Sequence, residues 1–222
     1  MDGYSSAAIT HPVSVGRLVG AILDLVSERG VEGLTTQAVA DRLGATSAAF
    51  IHRFPTMEAI WGAVMDWLEE QLGRIHMAAG CDASESPLLA LSNAFLDHVR
   101  LILRHPALAK VMFADHLRRH FPRLHDRLAE IQNAHERRIV DLIERAKRRC
   151  EVPPSLPRED AAILLLCLIQ GLTFQFAIAH RPMRLPREAA RLFALYLRAI
   201  AELRAPGAPA PIPEATDGAI DV

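Results

Sequence analysis

The chain has 222 residues, with 25 Lys and Arg against 26 Asp and Glu, and its formal net charge of -1 excludes binding to nucleic acid by bulk positive charge alone. Half of the residues are hydrophobic and 23% are charged, which excludes disorder over most of the length. The longest apolar run, nine residues from Ala161 to Ile169, is far shorter than a membrane span. Apolar residues recur at spacings of three and four, which predicts an all-α chain.

Three helices are predicted in the N-terminal part. They cover approximately residues 14–29, 36–43 and 47–54. Thr35 stands before the second of these helices, where its hydroxyl can accept from free backbone amides, and either Thr46 or Ser47 can cap the third helix in the same way. Gly44 lies between these two short helices and predicts a tight turn, because glycine tolerates a positive φ.

Six mostly longer helices are predicted in the remainder of the chain, many of them headed by proline. Their approximate ranges are 57–77, 87–105, 106–120, 123–149, 157–179 and 186–203. Four prolines and no helical face follow Ala205, which predicts a disordered tail. The predicted organisation is an N-terminal tail (1–13), a helix-turn-helix domain (14–58), a larger helical domain (59–205) and a C-terminal tail (206–222).

The stretch from Gly33 to Val64 has the layout of a helix-turn-helix. Ala40 is small where the two short helices would cross, so their backbones can approach closely. Apolar residues that would pack on the first helix are Val39, Leu43, Phe50 and Phe54. The second short helix keeps an outward face of small and polar side chains that fit a DNA major groove, namely Thr46, Ser47, Ala48, Ile51 and His52.

This stretch resembles the N-terminal domain of the tetracycline-repressor (TetR) family of bacterial transcription regulators. The matching residues are Gly30, Gly33-Leu34, Thr35-Thr36, Val39-Ala40, Leu43-Gly44, Phe50, His52-Arg53-Phe54, Thr56 and Glu58-Ala59-Ile60. The resemblance implies a base contact from Gln37, polar readout by Ser47 and His52, and DNA-backbone contacts from Thr36, Arg53 and Thr56. With Thr46, Ala48 and Ile51, these residues form the predicted DNA-binding set.

Two residues depart from the family pattern, in which a Tyr usually stands at the position of Ile51 and a Lys at that of Met57. Both positions are similar to phosphate-contacting positions in relatives. The charge balance of residues 1–60 is also negative, with four Arg against six acidic residues. Weak non-specific DNA binding with a shallow salt dependence is therefore expected. Ile51 has the alternative of contacting a thymine methyl group.

Residues from about Glu58 onward resemble the family's second domain, which binds a small ligand and dimerises. The resemblance implies a small-molecule pocket, with Phe95, Val99, Ile102, Met112, Phe113, His116, His135, Ile139, Gln170 and Phe174 as candidates. The last two helices are apolar over more than one face, which is more than the core of a monomer needs. The resemblance implies that two such helices from each subunit form a homodimeric four-helix bundle. Its candidate interface residues are Ile163, Cys167, Gly171, Phe193, Leu197 and Ile200.

His116 and His120 have the four-residue helical spacing that can bind a metal. No Glu accompanies them in the metalloprotease pattern and no cysteines cluster nearby, so we predict neither a metal site nor another cofactor. Three widely spaced cysteines and the lack of an export signal favour a cytoplasmic protein that is not a membrane protein.

The sequence as a whole predicts a DNA-binding regulator, a repressor that a small molecule releases from its operator, and not an enzyme. Two alternatives remain open. One is a TetR-like dimer with impaired DNA binding that acts through protein contacts, favoured by Ile51 and Met57. The other is a helical enzyme that uses the C-terminal pocket.

Overall fold

A computed structural model describes residues 14–80, 86–177 and 185–202. These residues form ten helices and no strand, which confirms the predicted all-α fold. The helices are α1 Val15–Arg29, α2 Thr36–Leu43, α3 Ser47–Arg53, α4 Met57–Gly80, α5 Pro87–Arg104, α6 Ala107–Met112, α7 Asp115–His120, α8 Pro122–Arg148, α9 Arg158–Ala177 and α10 Leu185–Glu202. The predicted tails, 1–13 and 206–222, and the predicted helix ends at 179 and 203 lie outside the described residues.

The prediction of one helix over 106–120 is wrong, since two helices occupy this segment. Ala114 is extended, with φ -75° and ψ 108°, and separates α6 from α7. The carboxylate of Asp115 then lies in the first turn of α7 and contacts Arg118 at 2.5 Å and Arg119 at 2.9 Å. Because negative charge is favourable at a helix N-terminus, the Asp115 carboxylate stabilises the start of a new helix. The described residues therefore form one helix more than the nine predicted.

Helices α1, α2 and α3 form the N-terminal three-helix domain around one apolar core. Ile22 and Val26 of α1, Val39 of α2 and Phe50 of α3 are all buried. Their positions follow from helical spacing, which places apolar residues three and four apart on the inner face of each helix. The burial of Phe50 fixes which face of α3 remains on the surface.

Helix α4 joins the two domains. Its first turns pack on α1, where Ile60, Trp61 and Val64 are buried, and its later turns pack on α5 and α8. Farther along, Leu68 and Leu72 are buried as well. The same helix therefore contributes to the cores of both domains.

The second domain is built mainly from α5, α8, α9 and α10, with α6 lying between α1 and α9. Phe95 of α5 stacks on Phe193 of α10, with 4.5 Å between the ring centroids. The Tyr196 hydroxyl donates to the carbonyl of Ala161, which ties α10 to α9, and burial raises the pKa of this hydroxyl.

Helix α9 is unusually apolar. By length and composition alone, residues Arg158–Phe176 satisfy the requirements of a membrane-crossing helix, with a mean hydropathy of 1.4. A core helix of a soluble protein passes the same test. A third of this stretch is buried within the chain, so much of its apolar surface faces outward.

Candidate DNA interface and ligand cavity

The turn between α2 and α3 has the backbone geometry of a helix-turn-helix. Gly44 adopts the left-handed conformation, with φ 66° and ψ 24°, and the amide of Ala45 donates to the carbonyl of Ala40 at 3.0 Å. Thr35 accepts from the amide of Ala38 at 3.1 Å, and Thr46 caps α3 in the same way. The turn and both caps use the residue types that the sequence analysis assigned to them.

The outward face of α3 carries most of the residues predicted to contact DNA. Ala48, His52 and Arg53 are exposed, while Ser47 is half-buried. Ile51 is 48% exposed, which is unusual for an isoleucine in a folded domain. The helix is short, and the side chains near its N-terminus are small and uncharged. These properties suit insertion into a major groove.

A hydrogen-bonded chain of side chains connects α2 to α3. The Ser47 hydroxyl donates to Oε1 of Gln37 at 2.7 Å, and Nε2 of Gln37 donates to the carboxylate of Asp41, also at 2.7 Å. The two residues expected to read bases therefore contact each other. Their mutual contact holds the Gln37 amide in a defined orientation at the surface.

Met57 and Thr36 contact each other beside this face. The Thr36 hydroxyl donates to the Met57 sulfur at 3.6 Å, and Met57 is half-buried. Sulfur is a weak acceptor, so this contact leaves Thr36 able to exchange partners. Thr56 accepts from the amide of Ala59 at 3.1 Å and so caps the start of α4.

Two arginines near the recognition face have different surroundings. Arg42 forms an ion pair with Glu28 at 2.6 Å, and this hydrogen bond lowers the pKa of the Glu28 carboxyl. The Arg53 guanidinium lies 5.6 Å from the centre of the Phe54 ring. Of these two arginines, only Arg42 forms an ion pair with a described residue.

A cavity of about 150 Å³ lies in the second domain among α4, α5, α6, α8 and α9. Five of the ten residues predicted for a pocket line it, namely Ile102, Met112, Phe113, His135 and Gln170. Further lining residues that the sequence analysis did not assign include Leu68, Leu72, His98, Leu108, Ala109, Gln132, Asn133, Glu136, Leu166 and Thr173.

The other five predicted pocket residues do not line this cavity. Phe95, Val99 and Ile139 are buried elsewhere in the core. His116 lies near α1, with its Nδ1 atom 3.8 Å from a carboxylate oxygen of Glu32. Phe174 is exposed and meets Phe113 edge to face, with 5.9 Å between ring centroids.

Three buried or largely buried histidines from three helices come together beside the cavity. His98 and His135 line the cavity itself, whereas His76 lines a neighbouring groove. Nε2 of His76 and Nδ1 of His135 are 2.6 Å apart, and the rings of His98 and His135 are 5.1 Å apart. Burial lowers the pKa of His76 and His98 to about 4 and that of His135 to about 2, and the neighbouring imidazoles and Arg138 contribute. At neutral pH this histidine cluster is therefore uncharged.

This cluster was not predicted from the sequence because its members are distant along the chain. Of its three histidines, only His135 was among the predicted pocket residues, and no contact of His135 with His76 or His98 was predicted. A local signal exists on α8, since His135 occupies an apolar stripe with Ile131 and Ile139 at four-residue spacing. A histidine in such a stripe is buried and therefore needs a polar partner.

His116 and His120 have a spacing that can bind a metal, although no metal site was predicted there. Their rings stack on each other, with 4.2 Å between the ring centroids. The Nδ1 atom of His120 lies 3.0 Å from the carbonyl oxygen of His116. Across the described ranges, no group of three or more His, Cys, Asp or Glu residues is arranged to hold a metal ion.

The outer face of α9 forms an exposed apolar stripe. Its side chains include Ile163 and Leu164, which are 47% and 53% exposed, and Cys167 and Gly171 are also exposed. Two predicted interface residues on α10 are placed differently, because Phe193 and Ile200 are buried in the core of their own subunit. Leu197 is half-buried against that core. Among the described residues of α10, the large apolar side chain that is exposed is Leu195.

The two domains also contact each other through α6 and the segment before α7. The Lys110 ammonium of α6 donates to the carbonyl of Ser27 in α1 at 3.2 Å. Leu108, Ala109 and Met112 of the same helix line the cavity. Helix α6 therefore touches both the cavity and the first helix of the N-terminal domain.

The described fold and the two sites define a helix-turn-helix protein with a second helical domain that encloses a cavity. Residues 18–64 match the family described as bacterial regulatory proteins, tetR family. Over these residues the N-terminal domain is similar to that family, and the described chain has an all-α fold that solved structures of TetR-family transcription regulators share. No curated protein matches the chain by sequence.

Solved structures with the same fold include three regulators. PfmR of Thermus thermophilus has a TM-score of 0.68 at 21% identity, covering 82% of this chain and 97% of PfmR. FadR of Bacillus subtilis, in complex with stearoyl-CoA, has a TM-score of 0.70 at 15% identity. The match covers 84% of this chain and 100% of FadR. KstR2, the ketosteroid regulator of Mycobacterium tuberculosis, has a TM-score of 0.61 at 17% identity. The match covers 87% of this chain and 98% of KstR2. At these identities the likeness establishes the fold.

Proposed function

We propose that this protein is a cytoplasmic, homodimeric transcription repressor that binds operator DNA through α3 and is released by a small molecule in the α4–α9 cavity. The observation that carries the proposal is the course of α4. Three residues separate the end of α3 from the start of this helix, and its residues Leu68 and Leu72 line the cavity. One continuous helix therefore links the proposed DNA interface to the proposed ligand site.

Helix α6 supports the same coupling by a second route. Its cavity-lining residues lie on the helix that donates, through Lys110, to the carbonyl of Ser27 in α1. A ligand that displaces α6 or α4 changes the position of the N-terminal domain on the second domain. The ligand lowers operator affinity if it binds better to a conformation in which the separation of the two recognition helices does not match the spacing of the DNA half-sites.

The apolar stripe of α9 supports a dimer. Exposed Ile163, Leu164 and Phe174 and the neighbouring Leu195 of α10 give a surface that a second copy can cover. A two-fold dimer presents two copies of α3, which reach half-sites about 34–36 Å apart or one more helical turn apart. Because each α3 is short and weakly charged, two copies are needed for useful affinity.

The proposal is tested with the full-length protein and the DNA upstream of its own gene, using fluorescence anisotropy over a salt titration. We expect a specific complex that protects two half-sites, and release by compounds that raise the melting temperature of the wild-type protein. The variant Ala109→Trp fills the cavity and is expected to bind DNA but not to respond.

Equal DNA binding with and without a stabilising compound at every salt concentration would contradict the release mechanism. A stable dimer with no specific DNA complex would instead favour the alternative in which the chain acts through protein contacts. In that case the cavity and the dimer would remain, and the role of α3 would be lost.

A further inference from the structure

We propose that the cavity takes a small uncharged molecule, about the size of one six-membered ring, whose hydroxyl or carbonyl group is held by His98 and His135. This inference rests on the proposed function only in identifying the cavity as the regulatory site. It assigns a role to a histidine cluster that the helix-turn-helix leaves unexplained.

The size of the ligand follows from the volume. The cavity measures about 150 Å³. An apolar protein cavity of roughly this volume accommodates benzene. Its apolar lining residues include Leu68, Leu72, Leu101, Ile102, Leu108 and Met112. A long acyl chain or a steroid exceeds this space, so the ligand is a single ring or a comparably short branched molecule.

The charge of the ligand follows from the lining. Among the described residues, no Lys or Arg lines the cavity, whereas Glu136 does. The imidazoles of His98 and His135 are neutral, because burial lowers their pKa to about 4 and about 2. A carboxylate or phosphate would therefore be buried without a cation and beside an acidic side chain, which is strongly unfavourable. Arg137, Arg138 and Arg145 line a separate groove.

The polar group of the ligand follows from unpaired imidazole nitrogens. His76 Nε2 and His135 Nδ1 lie 2.6 Å apart, so one of these two nitrogens donates to the other. Nδ1 of His98 and Nε2 of His135 are buried and have no hydrogen-bond partner within the described chain. A buried polar atom without a partner costs about 1–3 kcal/mol. A ligand group that reaches these nitrogens recovers this free energy in addition to the apolar contacts.

A hydroxyl group matches both tautomers of the His76–His135 pair. If His76 donates to His135, then Nε2 of His135 carries a proton and donates. If His135 donates instead, its Nε2 accepts. A hydroxyl group both donates and accepts, so it can pair with His135 Nε2 in either tautomer. A carbonyl group only accepts, so it pairs with His135 Nε2 only when that nitrogen carries the proton. A hydrocarbon satisfies neither, which makes the polar group the basis of selectivity.

The test uses full-length protein without DNA and three ring-sized probes, namely phenol, benzene and benzoate. Isothermal titration calorimetry gives the ratio of phenol affinity to benzene affinity. We expect wild type to prefer phenol at least tenfold and to bind benzoate weakest. His98→Leu and His135→Leu should each lower the phenol-to-benzene ratio about tenfold, because the hydrogen bond is lost and the apolar contacts stay. His120→Leu, outside the cavity, is the control and should leave the ratio unchanged.

A wild-type measurement keeps the proposal testable if the leucine variants do not fold. The ¹⁵N signals of His98 and His135 should shift with phenol and not with benzene. Three outcomes overturn the proposal: an unchanged ratio in both variants, tighter binding of benzoate than of phenol, or histidine-dependent binding of Zn²⁺ that blocks phenol. Because DNA is absent, none of these outcomes depends on whether the protein regulates transcription.

Discussion

The Ser47 hydroxyl donates to Oε1 of Gln37 across 2.7 Å and thereby joins the recognition helix to the helix before it. The amide nitrogen of Gln37 donates in turn to Asp41. Both ends of the Gln37 amide are therefore occupied, and each keeps one further donor or acceptor. Such an amide is oriented before DNA arrives, which reduces the conformational entropy lost when it contacts a base edge.

The first prediction concerns base readout by Gln37. Gln37→Ala should weaken operator binding by about 1–3 kcal/mol and reduce discrimination at one base pair, because a base-edge contact is lost. Binding to non-specific DNA should not change. Gln71→Ala, on α4, is the matched control. The measurement is anisotropy with operators mutated one base pair at a time. Equal losses on specific and non-specific DNA would show that Gln37 contacts the DNA backbone instead.

The second prediction concerns Met57. Met57→Lys places an ammonium where the TetR resemblance implies a phosphate contact. Log K should therefore depend more steeply on log salt by about one unit per subunit, which is about two units for the proposed dimer. Affinity for operator and non-specific DNA should rise together at low salt. Met57→Leu removes the Thr36 contact without adding charge and is the control, with an unchanged slope. An unchanged slope in Met57→Lys would mean that this side chain does not reach the DNA.

The helix-turn-helix was predictable from the sequence because its determinants are local. Thr35, Gly44 and Thr46 each act on the backbone within three or four residues, and Val39 and Phe50 follow helical spacing. Such short-range signals do not depend on how distant helices pack. The break at Ala114 was missed because its signal, Asp115 beginning a new turn, lies inside an otherwise helical pattern.

The ligand cavity was predictable only in part. Apolar periodicity identifies the inner face of a helix, but it does not separate a residue in a filled core from one beside a void. Phe95 and Met112 share that pattern, yet Phe95 stacks on Phe193 while Met112 lines the cavity. The histidine cluster needs three helices to converge, and spacing within one helix does not carry that information.

The third prediction concerns the outer face of α9. Leu164→Glu should convert the proposed dimer to a monomer at micromolar concentration, because each subunit would bury an unpaired carboxylate in the interface. The expected rise in the dissociation constant is at least about 100-fold. Leu89→Glu, on α5, is the control because Leu89 is 52% exposed, close to the 53% of Leu164.

Analytical ultracentrifugation over a concentration series checks this third prediction. Operator binding should weaken in parallel for Leu164→Glu, since two recognition helices would no longer be held together. If Leu164→Glu and Leu89→Glu both remain dimeric, a different face of the protein forms the dimer. Circular dichroism confirms that both variants retain their helices.

The fourth prediction concerns the pH dependence of stability. His98 has a folded-state pKa of about 4, below its usual value of 6.5, because burial disfavours the imidazolium. His98 in the unfolded chain therefore binds a proton more readily than in the folded chain. The stability of the folded state is highest above pH 6.5 and decreases as the pH falls toward 4. Between pH 7 and pH 5, His98 alone should lower the free energy of unfolding by on the order of 2 kcal/mol.

Urea unfolding of wild type and His98→Leu at pH 7 and pH 5 checks this fourth prediction. The variant should lose less stability than wild type over this interval, while the exposed control His120→Leu should behave as wild type. His76 and His135 titrate in the same direction for the same reason, and the nearby Arg138 guanidinium adds to the penalty. Removing one imidazole therefore reduces the pH dependence without abolishing it. An equal loss in wild type and His98→Leu would place the acid sensitivity outside the histidine cluster.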